Sequence, residues 1–275
     1  MNDISVTISI NNNLSTIITP YTDLYETIMT LKNQGINIIS DDPDNCIISR
    51  IIYQSIFPFY NENNCRGDTL NTYNSTFGKD NNYRLMNIIN KENITIKYKN
   101  NLMEKIENFK RVYHSIGNFT ILERWHKQGE VLCINSARGI GSLRDSWPLT
   151  LICIQDYLSG YSRLKSNPLI NSFNNNEATI NFFKQYLNVK NGFELFCRDH
   201  YFNPELYENK IEASYLHVNK NGNYDVNLDL FDGLCFLKPL PDRIIEIEQY
   251  MEKATIKIIE RGKILLNEYI KINNQ

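Results

Sequence analysis

The N-terminal sixty residues change their spacing of apolar positions twice. Isoleucine and valine first occur at every second position, as in a half-buried strand: Ile4, Val6, Ile8 and Ile10. Helical spacing follows over 24–33, and Gly35 lies where a helix often ends. The turn 41–44 (DDPD) predicts the start of a second helix, which Pro58 ends. We expect these elements to form an N-terminal layer over residues 1–60.

The next stretch has less periodicity. Residues 61–83 are rich in Asn, Gly, Asp and Thr, which predicts an irregular surface segment. Alternation over 93–99 predicts a strand, and helical spacing over 102–112 predicts a helix. Two apolar runs, 118–125 and 131–135, flank the polar segment HKQGE and predict a β-hairpin.

The most apolar predicted element follows this hairpin. Apolar residues occupy nearly every side of it, at Leu149, Leu151, Ile152, Cys153, Ile154, Tyr157 and Leu158. Asp145 or Ser146 can cap a helix here, and Pro148 is tolerated in its first turn because the missing N–H has no helical partner there. We therefore predict a buried central helix over about 146–158.

The remaining sequence predicts further helices and a hairpin. Asn176 is placed to cap a helix over 177–187. The run 193–202 is apolar enough to be buried, although it carries ionisable residues. Alternation over 212–230 predicts a hairpin, and the longest helical pattern follows over about 242–270.

No internal repeat and no long linker divides the sequence. We therefore predict a single domain over 1–275, with the N-terminal layer at 1–60 and the core at 93–270. The predicted class is α+β: a mixed sheet with a buried central helix and a long C-terminal helix.

The composition fits a packed protein without a strongly charged surface. The 275 residues are 42% hydrophobic and 22% charged, which is ordinary for a globular protein. The net charge of −2 argues against a broad non-specific nucleic-acid surface, because such a surface needs excess Lys and Arg. A local basic groove is not ruled out by that argument.

Localisation is predicted from the segments that the sequence lacks. No apolar run reaches the roughly 20 residues that cross a bilayer, so no membrane contact is expected. The segment MNDISVTISINNN has neither the basic nor the apolar region of a secretory signal. The six cysteines have no zinc-binding spacing, so we expect reduced thiols in a cytoplasmic protein.

Three short elements carry a more specific pattern. They are Tyr113-His114-Ser115-Ile116-Gly117-Asn118, then Cys133-Ile134-Asn135-Ser136-Ala137-Arg138-Gly139, and then Asp145 ahead of Leu149-Thr150-Leu151-Ile152-Cys153-Ile154. With the Asp42-Pro43-Asp44 turn, they resemble an uncharacterised bacterial family, the domain of unknown function numbered 6994, over about 40–265. The resemblance implies a shared fold and no assigned activity. Such relatives suit a bacterial or phage accessory, defence-type or toxin-like protein.

Two positions depart from that family's pattern. Ser146 stands where the family has Arg, and Pro148 stands where it has Asp. Any chemistry that depended on those two family residues would therefore be lost in this chain.

Arg138 is the main candidate for ligand binding. It follows a predicted strand and precedes Gly139-Ile140-Gly141, where glycines allow close approach of the backbone to a ligand. A guanidinium there can present two N–H groups to a phosphate or carboxylate. The alternative is a structural ion pair with Asp145 or Asp199. The Gly-Ile-Gly segment alone is not a phosphate loop, because no Gly-Lys-Ser or Gly-Lys-Thr follows.

The other candidates from this region have structural alternatives as well. Asp145 is either a helix cap or a catalytic carboxylate, with its charge held by Arg138 or by Arg144, a second ligand-binding candidate. His114 can serve as a general acid or base. Asn118 and Asn135 are predicted on adjacent strands, where each either orients a substrate amide or ribose or is a satisfied core amide.

A second group of ionisable residues lies in the apolar run 193–202. It consists of Glu194, Arg198, Asp199 and His200, which must be paired if they are buried. Asp199 beside His200 suggests an imidazole oriented by a carboxylate, but the sequence ties no Ser or Cys nucleophile to it. A metal site would have to combine distant segments, and we predict none.

Two functions from different classes are left open. In the first, the protein is an intracellular enzyme acting on a nucleotide or nucleic acid. Arg138 then binds phosphate, and Asp145, Asp199 or a histidine (His114 or His200) moves protons. In the second, it is a non-catalytic protein-binding or inhibitory protein whose charged clusters are structural. The sequence assigns no cofactor to either hypothesis.

Overall fold

The computed structural model of the chain describes residues 4–11, 14–38, 40–70, 95–124, 132–139, 147–159, 168–202 and 244–274. These residues confirm the predicted α+β class, with a long helix at the C-terminal end. In place of one mixed sheet, the described strands form two separate two-stranded antiparallel sheets.

The N-terminal layer begins with a hairpin and a helix. Strand β1 (Val6–Asn11) pairs with β2 (Leu14–Ile18), with Val6 opposite Ile18. Helix α1 (Leu24–Asn33) follows the predicted bounds, because the carboxylate of Asp23 accepts hydrogen bonds from two N–H groups of its first turn. The predicted strand and first helix are confirmed.

The Asp-Pro-Asp turn also starts a helix, as predicted. Residues Pro43–Asn45 form a 3₁₀ turn, and α2 (Ile47–Ile56) follows directly. Its buried face is Ile48, Ile52, Tyr53 and Ile56. The helix ends just before Pro58, whose ring cannot continue it.

The strand predicted over 93–99 is wrong for its described part. Helix α3 (Ile96–Tyr113) begins there, because the hydroxyl of Thr95 accepts a hydrogen bond from the N–H of Tyr98. The described alternating residues belong to the first turn of this helix. Its buried face lies further along the chain, at Leu102, Ile106, Phe109 and Val112.

The central strand pair corrects two further predictions. Strand β3 (Cys65–Thr69) lies within the segment predicted to be irregular, and it pairs with the fully buried β4 (Phe119–Glu123). The described part of the predicted hairpin partner, 132–135, instead leads into helix α4 (Ile134–Gly139). That helix forms because the carboxylate of Glu123 accepts hydrogen bonds from the first N–H groups of α4.

The buried central helix is confirmed. Helix α5 (Trp147–Ser159) covers nearly the predicted range. Its buried side chains include Leu151, Cys153, Ile154, Tyr157 and Leu158. Its two predicted caps, Asp145 and Ser146, lie outside the described residues.

Three short helices follow α5. They are α6 (Pro168–Asn174), α7 (Glu177–Phe183) and α8 (Gly192–Asp199). Asn176 caps α7 as predicted, but the helix ends before 187, and turns follow it to Asn191, which has a positive φ of 65°. The apolar run 193–202 is largely α8, which buries Phe193, Phe196 and Cys197. The predicted hairpin 212–230 lies outside the described residues.

The long C-terminal helix is confirmed as α9 (Ile244–Asn273). It crosses the 3₁₀ turn Ile116–Asn118 so closely that a Cβ atom on Gly117 would lie 1.9 Å from the carbonyl oxygen of Ile258. Arg261 of α9 donates hydrogen bonds to the carbonyl oxygens of Gly117, Phe119 and His200, which ties the helix to three segments. None of the described helices combines the length and apolarity needed to span a bilayer.

The buried apolar residues form two clusters. One contains the side chains of the N-terminal layer together with Phe119, Ile121, Leu265 and Leu266. The other contains apolar residues of α3, α5, α7, α8 and α9. Strand β4 and helix α9 therefore contribute to both clusters. The five cysteines among the described residues are free and buried, as expected for reduced thiols.

Candidate functional site

Arg138 lies in a buried polar centre, with only 1% of its surface exposed. Its Nε donates to a carboxylate oxygen of Asp68 at 2.5 Å. Its two terminal nitrogens donate to the hydroxyl of Thr150 and to the carbonyl oxygen of Thr69, both at 2.6 Å. The guanidinium thus joins α4, α5 and β3 through direct hydrogen bonds.

The carboxylates near Arg138 strongly influence one another. Burial raises the pKa of Asp68, and the guanidinium of Arg138 opposes that rise. Burial and repulsion from Asp42 and Asp68 raise the pKa of Asp44 well above its ordinary value. The Asp44 carboxyl is held by the hydroxyl of Thr69 and the amide of Asn45, each at 2.8 Å. Asp42, the third acid, pairs with Arg66 near the surface.

The acidic partner of Arg138 was missed by sequence reasoning. Of its two predicted partners, Asp145 lies outside the described residues, as does Arg144. Asp199 accepts hydrogen bonds from Arg198 and Tyr186 instead. The observed partner, Asp68, comes from the segment predicted to be irregular surface. In the sequence, the charged residues Arg66 and Asp68 alternate with Cys65 and Gly67, and this alternation was the signal that could have identified the strand.

Glu123 is a second buried charged residue that the sequence did not single out. Its Oε1 accepts hydrogen bonds from the N–H groups of Ile134 and Asn135 and from the hydroxyl of Thr179. The amide of the candidate Asn135 donates back to the carbonyl oxygen of Glu123 at 2.8 Å. Burial raises the pKa of Glu123, and these hydrogen bonds oppose the rise. Asn135 therefore fixes the start of α4.

His200 is fully buried and surrounded by aromatic rings. Its ring centroid lies 4.1 Å from that of Phe196 and 5.3 Å from that of Phe59. Its Nδ1 lies 3.1 Å from the hydroxyl of Thr120. Burial and the positive charge of Arg261 lower the pKa of His200 well below its ordinary value, so the ring is neutral at physiological pH.

His114 and Asn118 lie beside the N-terminal layer. The Nδ1 atom of His114 lies 3.5 Å from a carboxylate oxygen of Asp23. Burial raises the pKa of Asp23, but hydrogen bonds from His114 and from two backbone N–H groups outweigh that effect and lower it. The amide of Asn118 donates to the carbonyl oxygen of Tyr113 at 2.8 Å. His114 thus stabilises the junction between α3 and α1, whereas Asn118 stabilises the end of α3.

A separate open cavity lies between α7 and the segment that precedes β3. We call it the amide groove. Its volume is about 530 Å³, and its described lining residues are Phe59, Asn61, Asn64, Cys65, Ala178, Asn181, Phe182, Lys184 and Gln185. The rings of Phe59 and Phe182 meet edge to face, with their centroids 6.5 Å apart. The side chain of His200 lies behind both rings. None of these lining residues was a candidate from the sequence.

No metal centre is apparent in the part of the chain that the structure describes. No group of three or more His, Cys, Asp or Glu side chains there is arranged to hold an ion. The Asp42, Asp44 and Asp68 cluster instead satisfies its charges through Arg66, Arg138 and Thr69.

Comparison with known protein families shows which family this chain belongs to. Residues 59–264 match the sequence model of a family described as a family of unknown function, DUF6994. The chain belongs to this family. The match begins at Phe59 and ends within α9, so it includes Arg138 and the whole amide groove. The resemblance seen in the sequence is thereby confirmed. No curated protein and no solved structure matches the chain.

Proposed function

We propose that this protein is a non-catalytic binding protein whose charged clusters are structural. The observation that carries the proposal is the guanidinium of Arg138, which is buried and donates to Asp68, Thr69 and Thr150. A guanidinium that binds substrate phosphate needs N–H groups that face the ligand. In this geometry, Nε and both terminal nitrogens already donate to protein oxygens.

The candidate acid and base groups support the same proposal. The carboxylate of Asp199 accepts hydrogen bonds from Arg198 and Tyr186. The imidazole of His200 packs against the rings of Phe196 and Phe202. A general acid or base has to come within hydrogen-bond reach of the proton that it transfers. The enclosed imidazole of His200 does not meet that condition unless its neighbours move.

The competing hypothesis is an enzyme that acts on a nucleotide or nucleic acid at Arg138. The raised pKa of Asp44 favours it, because perturbed carboxyl groups are common at catalytic sites. Buried ion-pair networks also perturb pKa values, however, and the hydrogen bonds around Asp44 account for its position. Asp145 and Arg144 belong to this hypothesis and stay predictions.

The test compares two variants of the acidic cluster. Asp68→Asn should lower the free energy of unfolding by about 2–4 kcal/mol, because it leaves the buried Arg138 charge without its partner. Asp42→Asn is the matched control, since Asp42 and Arg66 are half exposed, and should change it by less than about 1 kcal/mol. Urea denaturation followed by circular dichroism measures both values.

The wild-type protein and the variants Asp199→Asn and His200→Gln are assayed for turnover of ATP, NAD and RNA. No turnover is expected for the wild-type protein. Turnover that disappears in a folded Asp199→Asn or His200→Gln variant would contradict the proposal and favour the enzyme hypothesis.

A further inference from the structure

We infer that the amide groove is a nucleotide-binding site, in which the base packs against Phe59 and Phe182 and the phosphate meets Lys184. The inference rests on the proposed binding function and names its ligand class. It places recognition away from Arg138, on residues of α7, the turn that follows it and the segment 59–65.

The aromatic pair suits a planar ring. Phe59 and Phe182 are each partly exposed and meet at an interplanar angle of 77°, which leaves a ring face and a ring edge at one corner of the groove. A nucleobase can stack on one phenyl ring while its edge contacts the other. The volume of about 530 Å³ lies within the usual range for small-ligand sites.

The rim of the groove offers hydrogen bonds of both kinds. Four of its lining residues carry primary amides: Asn61, Asn64, Asn181 and Gln185. An amide both donates and accepts, and this pairing matches the edges of nucleobases. Asn64 and Asn181 are exposed, and their side chains make no hydrogen bonds within the described part of the chain.

The charge of the groove favours an anion. Among its described lining residues, Lys184 is the cation and none is acidic. Glu62 lies beside Asn61 in the sequence, but its carboxylate binds Arg50 at 3.4 Å and Gln54 at 2.8 Å. Lys184 therefore presents a positive charge at the end of α7 that a phosphate group can approach.

The wall of the groove is held from behind by buried residues. The His200 ring packs against Phe59 and Phe182. Glu123 pairs with Cys65 across the strands, and its carboxylate accepts a hydrogen bond from the hydroxyl of Thr179, the neighbour of Ala178. The aromatic pair and its neighbours are therefore fixed in position before a ligand binds.

An extended peptide fits the groove less well than a nucleotide. Peptides commonly add to a sheet by hydrogen bonding to a free strand edge. The edge of β3 that faces away from β4 is closed, because the side chain of Asn45 bonds both the N–H and the carbonyl oxygen of Gly67. Recognition at the groove therefore depends on side chains, which suits a compact aromatic ligand.

The experiment is calorimetric titration of the full chain with AMP, adenosine and ribose 5-phosphate. We expect AMP to bind saturably and more tightly than either fragment. Lys184→Gln should weaken AMP binding about tenfold and leave adenosine binding unchanged, because only AMP carries the phosphate. Phe182→Leu should weaken both AMP and adenosine, because both stack through the base.

Lys190→Gln is the matched control, since Lys190 is an exposed lysine that follows Lys184 in the sequence and does not line the groove. It should change neither affinity, and circular dichroism checks that every variant is folded. The inference is overturned if AMP does not saturate the protein at millimolar concentration, or if Lys184→Gln and Lys190→Gln weaken AMP binding equally. Failure of AMP to bind leaves the proposed binding function intact. Turnover of AMP would contradict the proposed non-catalytic function. In that case, loss of AMP binding in Lys184→Gln would still support the amide groove as the nucleotide-binding site.

Discussion

At the scale of single residues, burial decides what each charged side chain can do. The buried guanidinium of Arg138 is held by the carboxylate of Asp68 and by two neutral oxygens. Burial among phenyl rings instead favours the neutral form of His200 and lowers its pKa. Asp199 and His200 are neighbours in the sequence but have different partners: Arg198 for the first and Thr120 for the second. A carboxylate-oriented imidazole therefore does not form.

His200 leads to a prediction about pH. Its pKa in the folded state lies well below the ordinary value of 6.5, so the unfolded chain binds the proton first as the pH falls through 6.5. The folded state is therefore destabilised relative to a His200→Gln variant, by up to about 1.4 kcal/mol per pH unit below that point. Urea denaturation of both proteins between pH 4.5 and pH 8.5 measures the difference in their free energies of unfolding.

The comparison with His200→Gln is needed because other buried groups titrate with the opposite sign. The raised pKa of Asp44 means that protonation stabilises the folded state as the pH falls through the folded pKa. That contribution is common to both proteins and cancels in the difference. Above pH 7 the difference should be constant, and a constant difference down to pH 5 would show that His200 is not buried in neutral form.

At the scale of elements, close backbone approach fixes the position of α9. The turn at Gly117 touches the backbone of α9 at Ile258 and Gly262, and Arg261 binds the carbonyl oxygens beside it. A side chain at Gly117 would have to displace helix backbone. At Gly262, a Cβ would instead meet a side-chain atom of Pro20 at 3.3 Å.

The two glycines should therefore respond differently to alanine. Gly117→Ala should lower the free energy of unfolding by about 3 kcal/mol, because a rigid carbonyl occupies the space that the methyl group needs. Gly262→Ala should change it by less than about 1 kcal/mol, since the gain in helix propensity offsets a mild contact. Thermal and urea denaturation give both values. Equal effects would mean that the turn and the helix are farther apart than the structure shows.

At the scale of the whole molecule, the two apolar clusters share supporting elements. Phe119 and Ile121 of β4 pack in the N-terminal cluster, while Leu122 packs in the other. Helix α9 supplies Leu265 and Leu266 to the first cluster and Met251, Ala254 and Ile258 to the second. Loss of either cluster would expose one face of the same strand and helix.

This sharing predicts cooperative unfolding of the single domain proposed from the sequence. Scanning calorimetry should give one transition in which the calorimetric enthalpy equals the van't Hoff enthalpy. The Gly117→Ala variant should shift that transition as a whole, because Gly117 lies where β4 and α9 meet. Two resolved transitions, with only one of them moved by the substitution, would show instead that the N-terminal layer is a separate unit.

The sequence predicted best those elements whose signals are local. Helix α1 begins at the expected residue, and the described apolar residues of α5 are buried as the density of apolar positions indicated. The strand predictions were wrong for the described parts of 93–99 and 131–135 because each segment is short. So few residues fit the period of a strand and the period of a helix equally well. Capping by Thr95 and by the distant Glu123 made both of them lead into helices.

The chain's own spacing of apolar and capping residues determined its class and its principal helices, and its short motifs indicated the family that it resembles. Tertiary structure alone decided the partners of the ionisable groups, since Arg138 meets Asp68 from 70 positions away and His200 meets Thr120 from 80 positions away. It also assembled the amide groove from two segments that have no shared motif. The physical reason is that charge state and exposure depend on which distant segments exclude water from a side chain, and spacing along the sequence does not record that.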